Sequence, residues 1–267
     1  MPPISRRHVT ALGLIAALGP RCSGPRASSD IGIVVMHGTQ GFGNDSTTAF
    51  FNQSLRGAGY AVFTPTMCWS RSRIYDAAFP DCLHEIDGAV ATLKSGGARR
   101  IVVGGQSQGG NAALAYGAQH PELAGVIALA PAPRPDMNSH NPAIARSFAE
   151  AKAMIAGGES NRRASFAAMN NGQMFTVVTT AAIYVSFVDP DGPAEYPNLL
   201  ANVRPPVIWV AGSEDPTQRD AASLFTRLPA NPLNRLVMVN AVHLGTPGAG
   251  TPAVLEWLKA LGAQPPS

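Results

Sequence analysis

A serine, an acid and a histidine, far apart in the chain, carry the chemistry this sequence could do. The serine stands in Gly105-Gln106-Ser107-Gln108-Gly109. An apolar, β-branched run, Ile101-Val102-Val103, leads into it, and a helical stretch, Asn111–Gln119, follows at once. Strand, sharp turn and helix is the context in which G-x-S-x-G lifts a serine Oγ above a sheet edge as a nucleophile. Gly105 and Gly109 lack the Cβ atoms that would clash where strand and helix crowd together. The helix N-terminus beneath favours developing negative charge. With 27 glycines in the chain so short a pattern is weak alone; the flanking elements give it weight. No Gly-Lys-Ser/Thr follows to cradle a phosphate, and the glycines do not fit G-x-G-x-x-G.

A serine hydroxyl is a poor nucleophile at neutral pH and needs a base, which in turn needs an orienting acid. Asp215 follows the apolar run Pro206–Ala211, and His243 follows Arg235–Val239. Each would lie at the carboxyl end of its own strand, where open α/β sheets gather active residues. Their order, Ser107 then Asp215 then His243, is that expected of one such fold. Glu214 competes with Asp215 as the acid. Asp220 suits the role less, because a helix after Pro216 would carry it away. The plain alternative for His243 is a structural histidine.

The remaining need is a pair of backbone N–H groups aimed at one point, an oxyanion hole. The strand Ile31–Met36 runs into His37-Gly38-Thr39-Gln40-Gly41-Phe42-Gly43. Thr39 is the first candidate to donate one N–H and Gln40 the second choice; Gln108, after the nucleophile, supplies the other. The alternative is a simple flexible turn. His37 reads as structural rather than catalytic.

These residues need a scaffold. Apolar strands are read at Ile31–Met36, Tyr60–Thr64, Ile101–Val103, Ala124–Ala130, Pro206–Ala211 and Arg235–Val239, with helical stretches between them. Ser46 is read as the cap of a helix over Thr47–Arg56. Asp81 is read as the cap of a helix whose Leu83, Ile86, Val90 and Leu93 share one face. Ala221–Leu228 is helical, and Thr251-Pro252 opens a closing helix. His84-Glu85 lacks the second histidine of a zinc H-E-x-x-H site. The alternation predicts an α/β fold: a mostly parallel central sheet with helices on both faces. Arg134–Arg204 breaks the pattern and is too long for a plain connection, so it reads as a cap insertion over the site. It holds a helix near Ala143–Ala156 and an apolar run, Met174–Val188. That run either lines an acyl pocket or, the preferred reading, packs the cap onto the body.

The body, Ile31–Ala130 plus Pro206–Gly262, resembles the α/β-hydrolase family. His37-Gly38, Gly105-Gln106-Ser107-Gln108-Gly109, Gly212-Ser213-Glu214-Asp215 and His243 match its motif positions. His-Gly-Thr-Gln departs from the His-Gly-Gly-Gly form of some lipases and esterases. The resemblance implies a serine hydrolase with no metal or organic cofactor, acting on a small-molecule ester or acyl substrate. An amidase, a thioesterase or a cofactor-free haloperoxidase could use the same three residues. A binding protein that keeps the fold without turnover is the reading from another class.

Residues 1–27 read as an export leader. Arg6-Arg7 precedes the short apolar run Ala11–Leu18, and Gly19, Pro20 and Ser23 follow. The arginine pair resembles a twin-arginine signal, with the Sec route also open. The apolar run is too short for a membrane span. Cys22 leaves with the leader, and Pro20-Arg21 suits a lipoprotein cysteine poorly. Residues 28–267 then form the hydrolase domain, periplasmic or secreted. The formal charge of +3 is the leader's doing: Arg6, Arg7, Arg21 and Arg26 are four of 20 basic residues, leaving 16 against 17 acidic ones. Nothing there suggests nucleic acid or an anionic membrane surface as partner. In an exported chain Cys68 and Cys82 are an even pair, read as a disulfide closing the loop Pro65–Asp81, or else as two free thiols. No cysteine has metal-ligand spacing.

Overall fold

A computed structural model describes residues 29–264; the expected leader and Cys22 lie outside the described residues. In chain order the strands are β1 (Ile31–Met36), β2 (Ala61–Phe63), β3 (Arg100–Gln106), β4 (Gly125–Leu129), β5 (Arg163–Asn170), β6 (Gln173–Thr180), β7 (Val207–Gly212) and β8 (Arg235–Val239). The helices are α1 (Ser46–Gly57), α2 (Phe79–Ser95), α3 (Gln108–Gly117), α4 (Pro135–Asn138), α5 (Pro142–Ala156), α6 (Ala181–Val188), α7 (Ala221–Phe225) and α8 (Thr246–Gly262). Six strands form one sheet in the order β2-β1-β3-β4-β7-β8. Every pairing in it is parallel.

Side-chain alternation along the strands decides which helix lies where. Val34, Met36, Ile101, Val103, Val126, Ala128, Val207 and Trp209 face one side, where they pack with α2 and α3. Ile33, Val35, Val102, Ile127, Leu129, Ile208 and Val210 face the other, against Phe51 and Leu55 of α1 and Val254, Trp257 and Leu258 of α8. Burying each such side chain contributes about 1.5–3 kcal/mol. With both faces covered, the central strands are apolar throughout, which is why they read as continuous runs.

Several element ends differ from the sequence expectation. The cap of α1 is Asp45, whose carboxylate accepts from the Thr47 N–H at 2.8 Å, not Ser46. Asp81 caps nothing: α2 starts at Phe79 with Pro80 in its first turn and Asp81 already inside. The closing helix begins at Thr246-Pro247 and runs through Pro252; the same Thr-Pro start signal occurs twice, and the earlier copy wins. Helix α7 stops at Phe225, short of Leu228.

The segment 134–204 adds α4, α5, α6 and an antiparallel hairpin of β5 and β6. The hairpin was absent from the expected elements. Its first strand, Arg-Ala-Ser-Phe-Ala-Ala-Met-Asn, carries little β-branched character. Its turn, Asn171-Gly172, is nevertheless the Asn-Gly pair that hairpins favour, with φ of 48° and 76°. The apolar run Met174–Val188 is therefore two elements, split where the Thr180 side chain caps α6. Its main role is packing. Val177 and Phe187 join the core on the α2 and α3 face. The Phe187 ring meets Tyr75 and Phe79 edge-on at 4.7 and 5.3 Å.

One buried acid sits where this segment joins the body. Glu195 is 2% exposed, accepts from the Asp136 N–H at 2.8 Å, and lies 4.0 Å from Arg134. Arg134 is itself occupied by Asp136 and Asp220. Burial first, and the Asp136 carboxylate next, push the Glu195 carboxyl up to about 7, against the Asp136 N–H and Arg134. Between its unfolded value, near 4.5, and about 7 the unfolded chain releases this proton while the folded chain keeps it. The stability this residue contributes therefore falls as pH rises through that window. Urea unfolding at pH 5 and pH 7.5 checks this: Glu195→Gln should lose less stability over the interval than the wild type, by on the order of 2 kcal/mol.

Candidate active site

The sheet register brings the site together. Met36 of β1 pairs with Gly105 of β3, so the loop from His37 onward leaves the sheet beside Gln106-Ser107. Gly212 of β7 pairs with Val239 of β8, so Asp215 and His243 leave side by side.

Ser107 stands between β3 and α3 with φ 56° and ψ −117°, a backbone state costing a side-chain-bearing residue roughly 1–3 kcal/mol. Close packing holds it there. A Cβ at Gly105 would sit 2.5 Å from the Gly109 carbonyl carbon and 2.6 Å from the Met36 oxygen. A Cβ at Gly109 would strike the Met36 carbonyl. The Ser107 N–H donates to Leu129 O at 3.0 Å, and Ser107 O accepts from Asn111 N–H and Ala132 N–H at 2.9 and 3.1 Å. The turn is thus tied to β4, to its own helix and to the strand's exit loop.

The three expected side chains meet. Ser107 Oγ lies 2.9 Å from His243 Nε2, and His243 Nδ1 lies 2.6 Å from Asp215 Oδ2. All three residues are buried. The other oxygen, Asp215 Oδ1, accepts from the Thr217 N–H and hydroxyl at 2.9 and 2.7 Å. Burial alone would raise the Asp215 carboxyl; the bonds from His243 and Thr217 outweigh it and hold the acid below its usual range. An ionised carboxylate only accepts, so Nδ1 carries the hydrogen and Nε2 turns a lone pair to the serine hydroxyl. Glu214 is exposed and Asp220 pairs with Arg134, so neither competing acid faces the imidazole.

The oxyanion candidates divide. Gln108 opens α3, so its N–H has no intrahelical acceptor. The Thr39 N–H has none among the described residues. Gln40 is corrected: its N–H donates to Trp69 O at 3.0 Å and is not free. His37 is structural, as expected. Its Nδ1–H donates to Gly38 O at 2.8 Å and its Nε2 accepts from Met67 N–H at 3.0 Å. Burial keeps its imidazole below the usual value, the Gly38 carbonyl opposing. Cys68 and Cys82 are joined in a disulfide.

A cavity of about 370 Å³ opens onto Ser107 and His243, with Thr39, Pro133, Met137, Met169 and Asn170 among its lining. Sequence reasoning missed three supporting residues. Thr217, which fixes the acid, was readable: Asp-Pro-Thr is a capping signal. Asn170 Nδ2 donates to Thr39 O at 3.1 Å, and nothing local in the sequence places that turn on that loop. Gln106, buried, reaches His243 O at 3.5 Å.

Comparison with known proteins bears on the fold that carries this site. A search of curated proteins found no significant match. Among solved structures, the chain is similar to Est1E from Butyrivibrio proteoclasticus bound to ferulic acid, with a TM-score of 0.66, 16% identity, and 91% of this chain and 94% of that one covered. It is also similar to a monoacylglycerol lipase from Paleococcus ferrophilus, with a TM-score of 0.62, 17% identity, and coverage of 86% and 94%. A thioesterase domain from the curacin biosynthetic pathway gives 0.58, 13%, and coverage of 87% and 92%. At such identities these share the fold. The family model for the alpha/beta hydrolase family matches residues 33–258. With the parallel sheet and its strand-end site, that match places the chain in the alpha/beta hydrolase family.

Proposed function

We propose that this protein is an exported serine hydrolase that cleaves carboxylic esters through an acyl-enzyme on Ser107. The observation that carries the reading is the buried hydrogen-bond line Asp215–His243–Ser107, 2.6 and 2.9 Å long, facing a cavity.

In this reading His243 Nε2 takes the Ser107 proton as Oγ attacks the ester carbonyl carbon. The resulting oxyanion accepts hydrogen bonds from the Thr39 and Gln108 N–H groups, which have no other acceptor among the described residues. Asp215 holds the imidazole tautomer and stabilises its cation. His243 then protonates the leaving alcohol, and water, deprotonated by the same nitrogen, releases the acid and frees Ser107. The preference for oxygen esters draws on the likeness to a monoacylglycerol lipase and to Est1E with ferulic acid bound. Export draws on Arg6-Arg7 and the apolar run behind it, and on the disulfide, which suits an oxidising compartment.

A panel of p-nitrophenyl esters, with matched thioesters and anilides, tests the reaction. Ser107→Ala should lose on the order of 10⁴-fold or more in kcat. Asp215→Asn should lose on the order of 10³–10⁴-fold, because it favours the wrong imidazole tautomer. Glu214→Gln should stay near wild type. Turnover that survives Ser107→Ala would remove the nucleophile from the scheme. For localisation, fractionation of a bacterial host should find the full chain's activity outside the cytoplasm and that of a chain lacking residues 1–27 inside it.

A further inference from the structure

Thr39 N–H can serve as an oxyanion donor only if its loop is held still, and no sheet ladder holds it; the hairpin contributes one bond, from Asn170 Nδ2 to Thr39 O. After β1 ends at Met36 the chain has no ladder partner. Its support comes from Met67-Cys68-Trp69, itself an irregular stretch between β2 and α2. Three hydrogen bonds join the two segments, each 3.0 Å long: Met67 N–H to His37 Nε2, Trp69 Nε1–H to His37 O, and Gln40 N–H to Trp69 O. His37 passes the constraint on through its Nδ1–H to Gly38 O, which also accepts from the Gly41 N–H. The two peptide units that flank Thr39 are therefore fixed at Gly38 O and Gln40 N from this side, and at Thr39 O by Asn170, while the Thr39 N–H has no acceptor among the described residues.

The supporting segment needs an anchor of its own. Met67, Cys68 and Trp69 are wholly buried. Cys68 O accepts from Tyr75 N–H at 2.8 Å, a bond within the same loop region. Two ties reach the regular element α2: Arg73, which donates to Thr66 O and to both oxygens of Glu85, and, directly from the supporting segment, the covalent disulfide from Cys68 to Cys82. That helix is bolted to the sheet by Leu83, Ile86 and Ala89. The middle residue of the supporting segment is thus the one bonded to the frame, and its two neighbours make all three contacts to the oxyanion loop.

We propose that the Cys68–Cys82 disulfide, acting through Met67, Trp69 and His37, positions the Thr39 N–H for the developing oxyanion. Cys68, Cys82 and Trp69 are positioning residues; none lines the cavity over Ser107. The inference rests on the serine-hydrolase reading. An oxyanion donor acts more on the transition state than on bound substrate. A full donor is worth about 10²–10³ in kcat, and a loosened one less.

The test compares wild type, Cys68→Ser/Cys82→Ser and Trp69→Phe, assayed well below the melting temperature of each. The readouts are kcat, KM for a p-nitrophenyl ester, and affinity for an arylboronic acid, whose tetrahedral adduct on Ser107 presents an oxygen to the same donors. The double variant should lose roughly 10–100-fold in kcat with KM within about threefold, and boronate affinity should fall in step with kcat. Trp69→Phe keeps the disulfide and the Trp69 backbone bond and removes the indole donor with part of the buried ring; it should show the same split with a smaller loss. If the double variant fails to fold, the folded wild type assayed before and after reduction of the disulfide carries the same comparison, and Trp69→Phe tests the link from the segment to the loop. Variants with kcat within twofold of wild type, or with losses confined to stability or KM, would overturn the proposal. A wild type that turns over no ester would instead overturn the functional reading beneath it.

Discussion

The crossing of α3 over β1 and β3 is the constraint on which the site depends. Backbone meets backbone there, at Gly105, Gly109 and Met36, with no room for a Cβ at either glycine. That contact forces Ser107 into a left-handed turn with φ 56°. The strain is bearable because β4, α3 and the exit loop each hold one end of the turn by hydrogen bonds. The same contact sets the helix N-terminus, with its unpaired Gln108 N–H, beside the serine. The placement of Ser107 and of one of the two candidate oxyanion donors thus follows from a single steric fact.

Around that crossing the sheet acts as a registering frame. Parallel pairing aligns all the strand exits on one edge, and the sequence of pairings puts β1 beside β3 and β7 beside β8. Loops from neighbouring strands then carry the partners that must touch. The rest of the support is irregular: Thr217 orients the acid from its own turn, and Asn170 reaches the Thr39 carbonyl from the hairpin above. The hairpin therefore lines the cavity, through Met169–Gly172, and also holds part of its wall.

Much of this was legible in the residues. Central strands buried on both faces must be apolar throughout, so Ile31–Met36 and Pro206–Ala211 announced themselves. Strand-end chemistry made Ser107, Asp215 and His243 stand out, and the geometry now joins them. What the sequence hid were facts that depend on a distant partner. Whether the Gln40 N–H is free depends on where Trp69 O lies. That Asn170 reaches the loop depends on how a hairpin folds over it. Local ambiguity did the rest: Asp45 and Ser46 are equally good caps on paper, and the Ala-rich β5 carries no strand signal.

The central claim is that Ser107 is activated by its buried line to His243 and Asp215. Treating the folded, full chain with a fluorophosphonate and mapping the adduct by peptide mass spectrometry tests it most directly. The account predicts one adduct, on Ser107, formed rapidly by the wild type and far more slowly by His243→Ala. A folded protein that leaves Ser107 unmodified, or labels it equally fast without His243, would contradict it.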